Sequence, residues 1–341
     1  MALTASGTIK YSEIIAEFGT PNSGGIGEYR ISENVGSLSN LPLDTGVPQS
    51  GQIKFSDFYS KKLNHVVDLY SIGNNTSRQN AKDRWNNGNV HIVGSTKTGK
   101  TQPPDTIDDR VIINVNATIA SAKGTQTHCA LRTGTWDSNT TLEIEIGTSG
   151  KLYGSGGDGG TGGSANETPG TDGQTGSSAL GIQYPCTINN LGVIQSGYGG
   201  GGGGGGNTRT TGGGKKGGAT TNGSSGGGGG GGAGLPAGSA GGVSTPLSQG
   251  GGSAGSAGQA GSLSGQATGG AGGSEAGAGG DSSPVNNSAT KADNGTSPSG
   301  AAAGGTGGNN GYAIITNQGS APSLSGGGTL TGRTITSTNP T

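Results

Sequence analysis

The sequence predicts a mainly β and irregular chain. A small N-terminal module (1–62) leads to an antiparallel β-sandwich (63–150). A bundle of polyglycine II helices with distal loops follows (151–317), and a tail (318–341) packs near the base of the bundle. Three observations predict this. Glycine is 80 of 341 residues, with 64 of them after residue 150. Charge runs the other way, with 27 of 39 charged residues in the first 150. Hydrophobic residues are only 27% of the chain, too few for one large apolar core of the usual kind.

The first part holds a repeat. Ser6-Gly7-Thr8-Ile9-Lys10-Tyr11-Ser12-Glu13-Ile14 returns as Ser50-Gly51-Gln52-Ile53-Lys54-Phe55-Ser56-Asp57-Phe58. Each copy alternates like a short strand, through Ile9 and Tyr11, then Ile53 and Phe55. Each then offers a serine N-cap and an acid, which predicts a short helix, Glu13 to Phe18 in the first copy, ending at Gly19. The second part carries strand-like runs at Val66–Tyr70, Val90–Val93, Val111–Asn116, Cys129–Arg132 and Leu142–Ile146, parted by Gly, Asn and Thr turns. Trp85, Trp136 and Phe55 are the large groups expected in the core.

After Tyr153 ordinary patterning stops. Gly199–Gly206 and Gly226–Gly232 are unbroken, and Gly252, Gly255, Gly258 and Gly261 recur every third residue. Gly/Ser-rich sequence is ordinarily a flexible linker. An alternative is a lattice of threefold extended helices. Without Cβ atoms the backbones approach closely, and each N–H and C=O finds a partner on a neighbour. Only a two-dimensional lattice gives inner helices enough neighbours. Eight runs have comparable reach: 154–163, 170–177, 197–206, 226–234, 237–242, 249–262, 265–280 and 300–311. If each crosses once, the polar connections 164–169, 207–225, 243–248 and 281–299 all fall at the far end. The apolar connections Pro185–Val193 and Leu235-Pro236, and the final Tyr312-Ala313-Ile314-Ile315, fall at the near end.

Several tempting chemistries fail on inspection. Gly94-Ser95-Thr96-Lys97-Thr98-Gly99-Lys100-Thr101 matches a phosphate-binding loop. That loop needs a helix at its end, and Gln102-Pro103-Pro104 forbids one, so a surface hairpin is expected. His65, His91 and His128 lack metal-ligand spacing. Glu143 and Glu145 share a strand face and read as solvated. Asp158 sits in a Gly-Gly-x-Gly-x-Asp-like unit that does not repeat. Cys129 and Cys186 could form one disulfide, with two quiet thiols favoured. No catalytic residue, metal site or cofactor is expected, and the chain does not read as an enzyme. A net charge of −1 gives no reason to expect nucleic acid or an anionic membrane. No run is long enough to span a bilayer, and no secretory leader is visible at the start.

Leu152-Tyr153-Gly154-Ser155-Gly156-Gly157-Asp158-Gly159-Gly160 opens the first glycine run. Thr187-Ile188-Asn189-Asn190-Leu191-Gly192-Val193-Ile194 feeds the long one, and Gly311-Tyr312-Ala313-Ile314 closes the last. This pattern, over about 151–317, resembles the glycine-rich adhesins at the tips of long tail fibres in T-even-type bacteriophages. Similar glycine-rich virion proteins occur in cyanobacterial and marine phages. The resemblance implies a sandwich of polyglycine helices whose far-end loops touch a host receptor, an outer-membrane protein or a surface glycan. The N-terminal repeat looks instead like short leaders on other marine-phage virion proteins, which implies docking onto another tail protein.

On this reading the protein is an extracellular virion component without a cofactor. Its receptor-binding residues are expected in the far-end loops: Asn207, Arg209, Lys215 and Lys216, then Asn286, Asn287, Lys291 and Asp293. Arg209, Lys215 and Lys216 suit either anionic sugars or phosphates or a merely solubilising loop, and the asparagines suit polar, sugar-like ligands. Virion docking is expected through Ile9, Tyr11, Ile53, Phe55 and Phe58. The rival readings are a purely structural cap or spacer, an ice-binding protein and a glycan hydrolase.

Overall fold

A computed structural model describes residues 3–21, 24–74, 76–94, 110–164, 168–211, 220–243, 256, 257, 259, 262 and 302–341. The N-terminal module opens with helix α1 (Tyr11–Phe18). A hairpin follows, β1 (Ser32–Val35) antiparallel to β2 (Leu38–Pro42). The two repeat copies are not strands. The first enters α1 and the second a single 3-10 turn, Phe55–Phe58. Nor does serine cap them: the residue before each turn is lysine. The Lys10 N–H donates to the Glu13 carboxylate (2.8 Å) and the Lys54 N–H to Asp57 (2.7 Å). The acid three residues on satisfies a backbone donor that the helix start would leave orphaned.

The main body is a coil that winds through three sheets. Its first turn is β3 (Asn64–Leu69), β4 (Thr76–Ser77) and β5 (Gln79–Asn80). Helix α2 (Ala81–Asn86) and β6 (Val90–Ile92) follow. The second turn is β7 (Arg110–Val115), β8 (Thr118–Ala120) and β9 (Cys129–Arg132). The third is β10 (Thr141–Ile146), β11 (Lys151–Tyr153) and β12 (Ser178–Ile182). The fourth begins with β13 (Cys186–Asn190) and β14 (Val193–Gln195). After a hairpin of β15 (Asn207–Thr211) and β16 (Thr220–Ser224), it ends with β17 (Tyr312–Thr316). The fifth is β18 (Ser323–Ser325), β19 (Thr329–Thr331) and β20 (Arg333–Ile335).

Each sheet takes one strand from every turn, in order: β18-β13-β10-β7-β3, β19-β14-β11-β8-β4 and β20-β17-β12-β9-β5. All these pairs are parallel. Within these three sheets, among the described residues, β6 on the edge of the first alone pairs antiparallel, with β3. The architecture is a three-sided parallel β-helix. This corrects the antiparallel sandwich expected over 63–150. The strands are where the alternation predicts them, but each returns to its own sheet only after visiting the other two. Such a crossover makes neighbours parallel, whereas a tight hairpin would make them antiparallel. The coil also runs past residue 150, because the connection 185–193 contributes β13 and β14, and the tail 318–341 supplies the fifth turn.

The inward side chains stack in columns. Val67, Ile113, Ile144, Ile188 and Leu324 form one, in register down the first sheet. Ile119, Leu152, Ile194 and Leu330 form a second; Leu131, Leu180, Ile314 and Thr334 form a third. These columns are the main core, and a chain poor in apolar residues concentrates them here. Ala81, Trp85 and Trp136 join that core beside Val67 and Leu69, the two indoles edge to face at 5.3 Å. At the other end Leu324 and Leu330 stand 42% and 39% exposed. Phe55, expected inside, is 44% exposed.

The N-terminal module has its own core around Ile14, Phe18, Tyr29, Leu43 and Phe58. It sits on the outer face of the first sheet, where Val35 packs with Val66, Val93 and Ile112. Asn114, fully buried, donates to the Val35 carbonyl (2.7 Å) and accepts from Ser37 (2.8 Å). An amide so placed satisfies both partners and fixes one module on the other.

Candidate functional site

Between the second and third sheets, the third turn departs at Gly154 and returns at Ser178; the fourth departs at Ser196 and returns at Tyr312. The departing chain forms glycine segments cross-bonded by their main chains. The N–H groups of 156, 159 and 162 donate to the carbonyls of 236, 239 and 242, while those of 157, 160 and 163 donate to 198, 201 and 204. Every third residue thus faces the same neighbour.

The bond order also gives the directions. The first segment (154–163) leads away from the coil. The second (170–177) runs back against it, as 171, 174 and 177 donate to 161, 158 and 155. The third (197–206) runs outward beside the first, and the fourth (226–234) returns. The fifth (237–242) runs outward, and the sixth, described at 256, 259 and 262, returns beside the fourth. The last (302–311) returns against the third, with 302, 305, 308 and 311 donating to 206, 203, 200 and 197. The seventh run of the sequence reading, 265–280, lies outside the described residues.

Close approach explains why glycine is needed. The third segment bonds to four others: it donates to the second and fourth and accepts from the first and last. A Cβ on Gly200 would stand 2.1 Å from the Asp158 carbonyl oxygen, and one on Gly203 2.0 Å from that of Thr161. The unbroken glycine runs are therefore these enclosed third and fourth segments. The first segment carries Ser155, Asp158 and Thr161 at every third position, and the Ser155 and Asp158 side chains bond to the coil, at Ala122 and Lys123.

These directions bring the outer turns to one end, opposite the coil. Gly206 donates to the Thr168 carbonyl (3.0 Å), Gly226 to that of Gly163 (2.9 Å), Gly162 to that of Gly242 (3.0 Å) and Ala302 to that of Gly206 (3.0 Å). From that end projects the β15–β16 ribbon, which carries Asn207 and Arg209 in β15. Lys215, Lys216, Asn286, Asn287, Lys291 and Asp293 lie outside the described residues, as does the sequence from 95 to 101.

The other expected residues are structural. His91 meets Glu33 at 2.7 Å, and His65 packs on Trp85 at 5.2 Å. The Arg110 guanidinium grips Glu143 through two bonds (2.9 and 2.8 Å), and Asn189 donates to Glu145 (2.8 Å). Glu143 and Glu145 are thus committed within the first sheet rather than simply solvated. Burial raises the Glu145 carboxyl, and the Glu143 charge adds to that against the Asn189 bond. Both cysteines are free thiols, pushed up to about 12 by burial. Among the described residues no cluster of His, Cys, Asp and Glu could hold a metal, and no helix is long and apolar enough to cross a membrane.

In the N-terminal module Phe58 is fully buried and Ile9 nearly so, while Tyr11 and Ile53 are half-buried. Phe55 stands outside, edge-on to Tyr11 at 6.2 Å. The repeat thus joins its two copies through the aromatic residue that opens each helical turn. Tyr11 and Phe55 form the accessible part of the expected docking set, and Ile9 and Phe58 support it from inside.

A family model described as phage tail fibre adhesin Gp38 matches residues 77–335. No curated protein matches the chain by sequence. Among solved structures, the crystal structure of the gp37-gp38 adhesin tip complex of the bacteriophage S16 long tail fiber is similar at 19% identity. It covers 98% of this chain and 99% of that one, with a TM-score of 0.35.

Proposed function

The chain belongs to the phage tail fibre adhesin Gp38 family, and from that premise we propose that it is the receptor-binding tip of a phage tail fibre. Adhesion is binding, not catalysis, and the chain is not an enzyme. The cross-bonded glycine segments are polyglycine II helices, stacked into a rigid stage. The connections at the far end, 207–225 and 281–299 foremost, touch the host receptor, an outer-membrane protein or a surface glycan. Arg209, Lys215 and Lys216 supply cationic donors, and Asn286, Asn287, Lys291 and Asp293 the polar contacts. The N-terminal module docks onto another tail protein through the Tyr11–Phe55 face, so the molecule works on the outside of the virion.

One observation carries this reading: the described segments alternate in direction, so their outer ends gather on the side away from the coil and the N-terminal module. A stage whose inner positions require only glycine leaves its outer loops free to vary at little cost to the fold. The test replaces 207–225 and 281–299 with short Gly/Ser turns in an assembled phage. Adsorption to the host is expected to fall by orders of magnitude with particle assembly intact. Unchanged adsorption would favour the purely structural cap or spacer instead.

A further inference from the structure

We propose that the corner loop 121–128 is a bracket that fixes the glycine lattice against the β-helix, with Lys123 as its positioning residue. In the third and fourth turns, the corner between the second and third sheets is where the glycine segments leave. In the second turn the same corner stays closed, eight residues from Ser121 to His128 between β8 and β9. It therefore lies directly beside the root of the lattice, one level along the coil.

The loop touches four glycine segments separately. The Lys123 ammonium meets the Asp158 carboxylate in the first (2.5 Å) and the Ser239 hydroxyl in the fifth (3.4 Å). The same Asp158 oxygen accepts the Ser239 N–H (2.6 Å). Ser155 of the first segment donates to the Ala122 carbonyl (3.0 Å), and Thr175 of the second to that of Gly124 (3.3 Å). Gln126 donates to the Asn310 carbonyl of the last. The fifth segment gains most from this. It bonds by main chain to the first and fourth alone among the described segments, and Asp158 gives its Ser239 N–H a charged acceptor.

The lattice is joined to the coil by four chain crossings on two adjacent turns, 153–154, 177–178, 195–196 and 311–312. Crossings confined to two turns leave tilting along the coil axis as the soft motion. A contact from the neighbouring second turn opposes it. Burial works against the Asp158 charge, but Lys123 and the Ser239 N–H outweigh it and hold the carboxyl below its usual range, as the pairing requires.

Amide hydrogen exchange on the full chain tests this, comparing Lys123→Met with wild type. Exchange at Ser239 and at Gly159, whose N–H donates to the Ser239 carbonyl, is expected to rise about tenfold. The inner amides of Gly201 and Gly204, and those of β7 and β10, stay unchanged. Lys123→Arg restores protection, because a guanidinium keeps the charge. Unchanged exchange at Ser239 overturns the bracket, and so does a uniform rise that includes β7 and β10. Phage adsorption, measured on the same variant, bears on the receptor reading instead. Raised exchange with normal adsorption leaves the bracket standing and counts against the need for a rigid stage.

Discussion

At the scale of single residues, the lattice turns on distances that only glycine meets. A Cβ on Gly203 would stand 2.0 Å from the Thr161 carbonyl oxygen, and the atoms it meets are backbone, which cannot swing aside. On Gly242 the nearest atom is the Thr161 methyl at 3.9 Å, ordinary contact. Gly203→Ala is therefore expected to cost ~1–3 kcal/mol or more in thermal unfolding, and Gly242→Ala to be near neutral. The thiols give a second residue-level prediction. Burial raises Cys129 to about 12 against the opposing fields of Arg132 and Arg78, and raises Cys186 to about 12 as well. At pH 8 roughly one thiol in ten thousand is then ionised. An aromatic disulfide reagent should react with neither in the folded chain and with both in denaturant. Rapid native reaction would place one of them at the surface.

At the scale of elements, the sequence shows strands more readily than their partners. Alternation marks Val111–Asn116 and Leu142–Ile146 as strands, and both are. Whether they pair parallel or antiparallel depends on the route between them, and alternation is silent on that. The cue is a repeat that the glycine segments interrupt. Leu142 pairs with Cys186 and Ile188 with Leu324, 44 and 136 residues apart. Removing 154–177 from the first interval and 196–311 from the second leaves 20 residues in each. The glycine crossings were more legible, because periodicity and hydrogen-bond need point the same way in a lattice. The loops proposed to meet the receptor are legible only as polar interruptions, since nothing in their composition names a ligand. Two element-level predictions follow from the packing. Ile144, fully buried in the middle of its column, should lose ~2–5 kcal/mol on substitution by alanine. Asp158 has its folded value lowered, so its stabilising contribution is present above the usual 3.8 and lost as pH falls through that lowered value. Acid titration followed by exchange should therefore loosen the fifth segment ahead of the coil, and Asp158→Asn should remove the difference.

At the scale of the whole molecule, two architectures share one chain without sharing a core. The β-helix is held by apolar columns; the lattice is held by main-chain bonds between residues that bury almost no side chain. The fifth turn of the coil shows how little the helix needs at the corner where the lattice leaves. There β19 passes to β20 through Gly332 alone, at φ +117°, a backbone conformation glycine adopts without strain. Tyr153, Gln195 and Thr331 occupy one register position in successive turns, and Tyr312 pairs with Arg333. A single glycine could therefore replace 154–177 between Tyr153 and Ser178, and another replace 196–311 between Gln195 and Tyr312. The departing and returning ends are already adjacent, since the Gly311 N–H donates to the Gly197 carbonyl at 2.8 Å. The shortened chain is expected to fold as a continuous five-turn coil, with strand-rich circular dichroism and cooperative melting. It should still join phage particles through its N-terminal module, and those particles should not adsorb to the host. A shortened chain that aggregates or melts without cooperativity would mean that the lattice stabilises the coil, and the two would have to be treated as one folding unit.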